Sequence, residues 1–388
     1  MFVLYCFGID MEKTYTQNEK ALIFLSLFDI VPQKEIELLS LFQTPSELLE
    51  NFFEREKEIN ALFSKGMRSG SKAADGKTHK TVEQMKDALN ENLLSSYINN
   101  LNNKNIFVLT PYSEKYPKKL LELDFPPQTL FCIGDVSLLE TDCIGVVGTR
   151  TPTPYGKIVT EKFTRGLCEN NFTIVSGLAA GVDTVAHRTA LDNNGKTIAV
   201  LGGGFEHIFP SFNLELAKRI ATNGLLISEY RPSFAPAQYT FPFRNRIIAG
   251  LSLGVLITEA GERSGALHTK EFALELGREV FAVPGNINSL MSKGTNRLIR
   301  SAQGACVLDF EDIVCVFRQN IVKSSNVNIS QLSFDDQKIV SALESGEKTI
   351  EELTEKTGFP IQKLNAQLTM LEINGLVKQL PGNTYVLI

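Results

Sequence analysis

Tryptophan is absent from the 388 residues, and histidine occurs only four times. So few imidazoles leave no evident Ser–His–Asp arrangement and cannot complete a zinc site. The six cysteines (Cys6, Cys132, Cys143, Cys168, Cys306, Cys315) form no C-x-x-C pair. They read as small buried apolar residues of a reducing compartment, not as a disulfide framework. No apolar run approaches the ~20 residues that span a bilayer. Met1–Ile9 is apolar but lacks a basic n-region and a small-residue cleavage site. A soluble cytoplasmic protein with no membrane partner is expected. The dinucleotide pattern G-x-G-x-x-G is missing, so NAD is not indicated, and no cofactor or metal is expected. The G-x-S-x-G nucleophile elbow is missing too. So is an excess of positive charge: 39 Lys and Arg face 44 Asp and Glu, a net of −5. That balance argues against a generic polycation coating DNA or membranes.

The total hides an uneven distribution. Residues 141–310 carry 17 basic and 14 acidic side chains, while the flanks carry 22 and 30. The same segment holds 11 of the 14 Arg and 19 of the 28 Gly. Arginine is the planar phosphate-binding cation, and glycine lets backbone approach a ligand closely. The middle of the chain is therefore the place to look for an anion site.

Residues 17–110 read as helical. Glu19–Phe28 and Lys34–Phe42 have apolar residues three and four apart, and Thr44 precedes Pro45 as a candidate N-cap. The polar stretch 66–80 (GMRSGSKAADGKTHK) reads as a mobile loop. From Asn105 the pattern turns extended (IFVLT), followed by a Pro-rich connector. From Cys143 the chain alternates. Short apolar runs at Ile144–Val147, Phe172–Val175, Thr197–Leu201, Leu225–Ser228, Leu253–Thr258 and Val280–Val283 are separated by amphipathic segments. Such runs are parallel strands buried on both faces. The expected fold class is α/β, a doubly wound, mostly parallel sheet. Its ligand should lie at the carboxyl ends of the strands. Residues 311–332 read as a polar linker. The remainder, 333–388, holds three helices and a β-hairpin, the winged-helix layout. Thr349 opens its second helix in a T-x-x-E capping box.

Several strand ends carry anion-binding chemistry. The first runs into Gly148-Thr149-Arg150 and then a helix, where free N–H groups and the helix dipole favour an anion. A turn glycine beside a surface arginine would look the same. The second ends in Ser176-Gly177, with Gly181 and Asp183 following; Ser176 is a candidate phosphate donor. Asp183 can hold the loop by accepting backbone N–H bonds. Asp183 and His187 share a helix face, a weak candidate relay. Arg244, Asn245 and Arg246 open a helix, and two arginines two apart point in different directions. Phe241 and Phe243 are either base-stacking surfaces or core. Ser264-Gly265 opens another helix, where Ser264 also fits an N-cap. A row of such turns along one sheet edge makes a groove for an extended polyanion.

The run from about Gly145 to Gly304 resembles the DprA/Smf family of DNA-processing proteins. The matching segments are GVVGTR with TPYG, VSGLAAGVDTVAH, ALDNNGKTIAVLGGG, FPSFN with LLISEY, FPFRNRIIAGLS, TEAGERSGALHTKEFALELGREVFAVPGN and KGTNRLIRSAQGA. The resemblance implies a Rossmann-like DNA-binding domain with lead-in over 111–310. It implies an N-terminal helical (SAM-like) domain over 1–110, with 66–80 as an insertion, and a winged helix over 333–388. It also implies a non-enzymatic single-stranded DNA-binding protein of natural transformation. Such proteins protect incoming strands, form homodimers through the Rossmann-like domain and help load the RecA recombinase. The DNA-binding residues it implies are Gly148, Thr149, Arg150, Ser176, Gly177, Gly181, Arg244, Asn245, Arg246, Ser264, Gly265 and Lys270. Ala180 stands where the family often has a basic residue, which removes one expected phosphate contact. Residues 26–33 lack the Gly-x-Gly hairpin of a DNA-binding helix-hairpin-helix.

Two other function classes compete. Related nucleotide phosphoribohydrolases use a glutamate near P-G-G-x-G-T-x-x-E. The corresponding turn here, TEAGERSG, lacks the double glycine and the trailing glutamate but keeps Glu259 and Glu262. The other class is an interaction scaffold in which the winged helix does the work. Residues 311–388 hold seven basic and ten acidic side chains, so protein binding is expected there in place of duplex readout.

Overall fold

Helix formation near the N-terminus starts from a reciprocal side-chain cap. In this computed structural model, residues 14–64, 72–318, 333–343, 346–373, 376–380 and 383–387 are described. The Thr16 hydroxyl accepts the Glu19 N–H, and the Glu19 carboxylate accepts the Thr16 N–H at 2.8 Å. The helix that follows, Gln17–Leu25, opens on a polar turn, and its apolar residues Ala21, Leu22, Ile23, Phe24 and Leu25 are all buried. Phe24 and Leu25 join a helical core with Leu38, Leu48, Phe52, Ile59 and Met85, whereas Ile23 joins the core of the sheet.

Further helices span Pro32–Leu39, Pro45–Asn51, Glu56–Ser64, Lys72–Asn90 and Leu93–Asn103. The loop expected over 66–80 is corrected here. Residues 65–71 lie outside the described residues, but a helix begins at Lys72. Low apolar content misled, because Ala and Lys are good helix formers whatever their polarity. Val82, Met85 and Ala88 anchor the same helix in the helical core.

The main sheet has nine strands: β1 (Phe107–Leu109), β2 (Leu130–Gly134), β3 (Cys143–Val147), β4 (Thr173–Ser176), β5 (Thr197–Leu201), β6 (Leu225–Ser228), β7 (Gly254–Ile257), β8 (Glu279–Ala282) and β9 (Ala305–Cys306). Their order is β1-β2-β6-β5-β4-β3-β7-β8-β9. From β6 to β9 every pairing is parallel; β2 and β1 add an antiparallel edge. Side-chain alternation along β5 divides the two cores. Ile198 and Val200 face Ile247, Ile248 and Leu251, whereas Ala199 and Leu201 join Ala217, Ile220 and Leu101. The fold is thus a doubly wound, Rossmann-like, mostly parallel sheet. From β3 the chain adds β4, β5 and β6 on one side, then returns to add β7, β8 and β9 on the other.

Two compact units result, residues 1–312 and 313–388. The N-terminal helices belong to the first, and β1 starts before the boundary expected at 110. The expected linker over 311–332 begins inside a helix, Phe310–Arg318. The Asp312 carboxylate accepts the Leu308 and Asp309 N–H groups at its start, which a polar composition alone does not reveal. Residues 319–332 lie outside the described residues.

The second unit has helices Phe334–Leu343, Ile350–Thr357 and Ile361–Ile373. Beside them lies a three-stranded sheet of β10 (Lys348–Thr349), β11 (Val377–Leu380) and β12 (Thr384–Leu387), ordered β10-β12-β11. Leu343, Leu353, Leu364, Leu368, Leu371 and Val377 form its core. This is a winged helix. The Thr349 hydroxyl accepts the Glu352 N–H while the Glu352 carboxylate accepts the Thr349 N–H at 2.8 Å. Thr349→Ala should lower the stability of this unit by about 1 kcal/mol. Chemical denaturation followed by circular dichroism reads that loss; an unchanged midpoint would contradict the role given to the cap.

Candidate nucleic-acid interface

The strand order reverses between β3 and β7, and there the carboxyl ends of the strands open a crevice. A cleft of about 980 Å³ occupies this place. Three strand-end loops are sewn together behind it. The Thr149 N–H donates to the Glu259 carbonyl at 2.8 Å, and the Thr149 carbonyl accepts the Val182 N–H at 3.1 Å. Gly181 makes that closeness possible. Its φ is +83°, and a β-carbon there would sit 2.3 Å from the Thr149 carbonyl oxygen.

Glu259 ties the next layer. One carboxylate oxygen accepts the Thr153 N–H at 2.8 Å and the other its hydroxyl at 2.6 Å. Thr153 in turn caps the helix Pro154–Glu169 by accepting the Gly156 N–H. The glutamate of the phosphoribohydrolase reading is therefore buried, both oxygens are engaged, and it does not line the cleft. Glu262 lines the cleft and pairs with Arg297 at 3.7 Å.

The two arginines of the Thr240–Leu251 helix part company. Both are buried, Arg244 to 4% exposure and Arg246 to 3%. Arg244 reaches the cleft floor and donates to the Gly177 carbonyl at 2.7 Å and to the Val200 carbonyl. Its Nε donates to Asn245 Oδ1 at 3.1 Å. Gly177 is required there, since a β-carbon would lie 2.3 Å from the guanidinium. Burial lowers the Arg244 pKa to about 10, which leaves it charged at neutral pH. Below it the Asp183 carboxylate accepts the Gly177 and Ala179 N–H groups at 3.1 and 3.3 Å. Burial raises the Asp183 pKa against the pull of Arg244 and those amides. Arg246 instead pairs with half-buried Glu229 and stacks on Phe243, 4.0 Å from the ring centroid.

Five of the twelve expected contact residues are thus not in the cleft lining: Ser176, Gly177, Gly181, Arg246 and Lys270. Arg246 is two positions from Arg244 and so faces away on the helix. Ser176 is buried and donates to the Val146 carbonyl at 2.7 Å. Lys270 is buried, and its ammonium lies 3.9 Å from the Glu271 carboxylate. Gly148, Thr149, Arg150, Arg244, Asn245, Ser264 and Gly265 do line the cleft; Gly177 lines a smaller cavity beside it, and Gly181 sits behind the Arg150 loop. Two exposed cations that sequence reasoning passed over, Arg263 and Lys293, join Arg150 along the lining. Their signal lay in the quoted TEAGERSG and KGTNRLIR segments, at the starts of two helices. Among the described residues no carboxylate lies within ion-pair distance of Arg150, Arg263 or Lys293. Phe241 lines the cleft against half-exposed Phe209, whereas Phe243 lies under Arg246.

The family profile described as DNA recombination-mediator protein A matches residues 107–318, the sheet and its cleft. The chain belongs to this family. A second profile, the DprA winged helix domain, matches residues 324–383. The DNA processing protein DprA of Bacillus subtilis is 46% identical over 203 residues, 52% of this chain and 68% of the relative. Protein Smf of Synechocystis is 34% identical over 348 residues, 80% and 87% of the two chains. Among solved structures, DprA of Streptococcus pneumoniae covers 78% of this chain and 98% of its own, with 33% identity and a TM-score of 0.60. DNA processing protein A of Helicobacter pylori, studied for its single-stranded DNA binding mode, covers 55% and 96%, with 34% identity and a TM-score of 0.51.

Asp183 and His187 do not form a relay. Asp183 holds the loop, while His187 Nδ1 lies 2.7 Å from the Thr197 hydroxyl in the interior. Among the described residues no His, Cys, Asp and Glu cluster could hold a metal ion. Burial, with the Arg244 charge nearby, holds the His187 pKa down at about 3. The unfolded imidazole titrates near pH ~6.5. Between these values the unfolded chain binds the extra proton, so stability falls as pH falls. His187→Gln removes that linkage. The stability gap between wild type and variant should shrink by about 2–3 kcal/mol from pH 7 to pH 4.5. Urea denaturation at several pH values measures it; a constant gap would mean the buried imidazole is not held neutral.

Proposed function

We propose that the cleft grips the phosphates of a single DNA strand. The observation that carries this reading is the set of exposed cations, Arg150, Arg263 and Lys293, with no carboxylate partner among the described residues, at the reversal of strand order. The cleft also meets the N-terminus of the Ala266–Glu275 helix, where N–H groups favour an anion. Family membership and the Helicobacter pylori relative's single-stranded DNA binding mode support the same reading. The acidic flanks favour local gripping over nonspecific coating. Within the family frame, the protein acts in the cytoplasm as a homodimer in natural transformation, protects incoming strands and helps load the RecA recombinase. The winged helix, with its acidic balance, meets protein and not duplex DNA.

Gel shifts on single-stranded oligonucleotides across a salt series test the central claim. Arg150→Ala with Arg263→Ala should weaken binding while leaving the melting temperature unchanged, since both side chains are exposed. The salt slope should fall by about 0.7 for each phosphate contact removed. Unchanged affinity in the double variant would move the site elsewhere. Arg244→Ala is a poorer probe, because its donors support the loop that shapes the floor.

A further inference from the structure

The loop over 284–293 has a cavity on each side. Leu290, Met291 and Lys293 line the cleft, whereas Ser289 and Ser292 line a second space of about 670 Å³. No Lys, Arg or His belongs to this second lining, and Glu259 is its one carboxylate. Glu259 is buried and receives a single hydrogen bond from Thr153 on each oxygen. Among the described residues no cation lies within ion-pair distance of it. The dipole of the Pro154–Glu169 helix, which Thr153 caps, answers part of the charge. Each carboxylate oxygen still has room for a second donor.

The loop side of the cavity is closely built. The Asn296 amide accepts the Gly285 N–H and donates to the Gly285 carbonyl, both at 3.0 Å. A β-carbon on Gly285 would lie 2.2 Å from the Ser292 hydroxyl oxygen, so glycine leaves that hydroxyl its place. Ser292 is only 2% exposed, and its hydroxyl has no hydrogen-bond partner among the described residues. The Tyr155 hydroxyl donates to the Pro284 carbonyl at 2.7 Å, which spends its proton and leaves its oxygen to accept. Burial, with the Glu259 charge nearby, raises the Tyr155 pKa, so the phenol stays neutral.

Acceptor oxygens around one negative charge without a counter-ion repel phosphate. They suit a compact cation that donates several hydrogen bonds. A primary ammonium has three donors and no acceptor. A divalent metal would want more carboxylates, and among the described residues no His, Cys, Asp and Glu cluster could hold one. We infer that this cavity binds the primary ammonium of an aliphatic amine, with Glu259 as counter-ion and the Ser292 hydroxyl as an accepting partner. The inference goes beyond the strand-binding reading and does not depend on it.

Calorimetric titration of the full-length chain with n-butylamine at neutral pH and fixed potassium chloride tests it. Butylammonium should bind saturably, and 1-butanol, of the same shape without the charge, should not. Glu259→Gln should weaken butylammonium binding roughly tenfold. Ser289→Lys tethers an ammonium at the cavity, leaves the Glu259–Thr153 bonds intact and should abolish binding. It carries the test alone should Glu259→Gln prove unstable on melting. The group is shared by free polyamines and lysine side chains. Spermidine binding tighter than N-acetyl-lysine methylamide assigns the site to the former, and the reverse order to the latter. The inference fails when wild type does not bind butylammonium, when butanol binds as well, or when either folded variant binds like wild type. No DNA enters the assay, so these outcomes leave the strand-binding reading standing.

Discussion

The buried guanidinium of Arg244 is the constraint around which the rest of the cleft is arranged. A charge taken out of water must be answered by fixed acceptors. Here they are the Gly177 and Val200 carbonyls and Asn245, with the Asp183 charge close by. These acceptors come from the ends of β4 and β5 and from the helix itself, so one side chain sets the distance between neighbouring strand ends. The glycine loop after β4 is held from both sides, its carbonyl by Arg244 and its amides by Asp183. Exposed cations can then act as ligand groups because the scaffold does not need them.

Much of this was readable along the chain, for a local reason. A parallel sheet places its ligand at strand ends, and short apolar runs mark those ends without any tertiary information. Gly148, Arg150, Ser264 and Gly265 were found that way. What was not readable depends on which way a side chain turns. Arg244 and Arg246 are the same residue type two positions apart; helix rotation sends one to the floor of the cleft and the other to Glu229. Ser176 follows the donor pattern of a phosphate loop, yet the strand pleat gives its hydroxyl to Val146. Lys270 looks like a surface cation until its helix face is known. The stretch from Lys72 was misjudged because polarity was read as loop, although its residues favour helix.

The smaller cavity beside the cleft, lined by Gly177, Ala179, Ala180, Phe209 and Phe241, shows a different limit. It is made by what small residues leave out. Gly177, Ala179 and Ala180 carry no chemistry of their own, and a search for donors and charges passes over them. Only when Phe209 arrives from a distant loop does the space acquire walls.

The helix Gln17–Leu25 has one further bearing. It gives Ile23 to the sheet and Phe24 with Leu25 to the helical bundle, within a single turn. A residue pair so divided makes the bundle and the sheet share one cooperative fate. A fragment cut to begin at the sheet would uncover the apolar face formed by Phe131, Ile133 and Leu226, so the N-terminal region acts as a permanent cover.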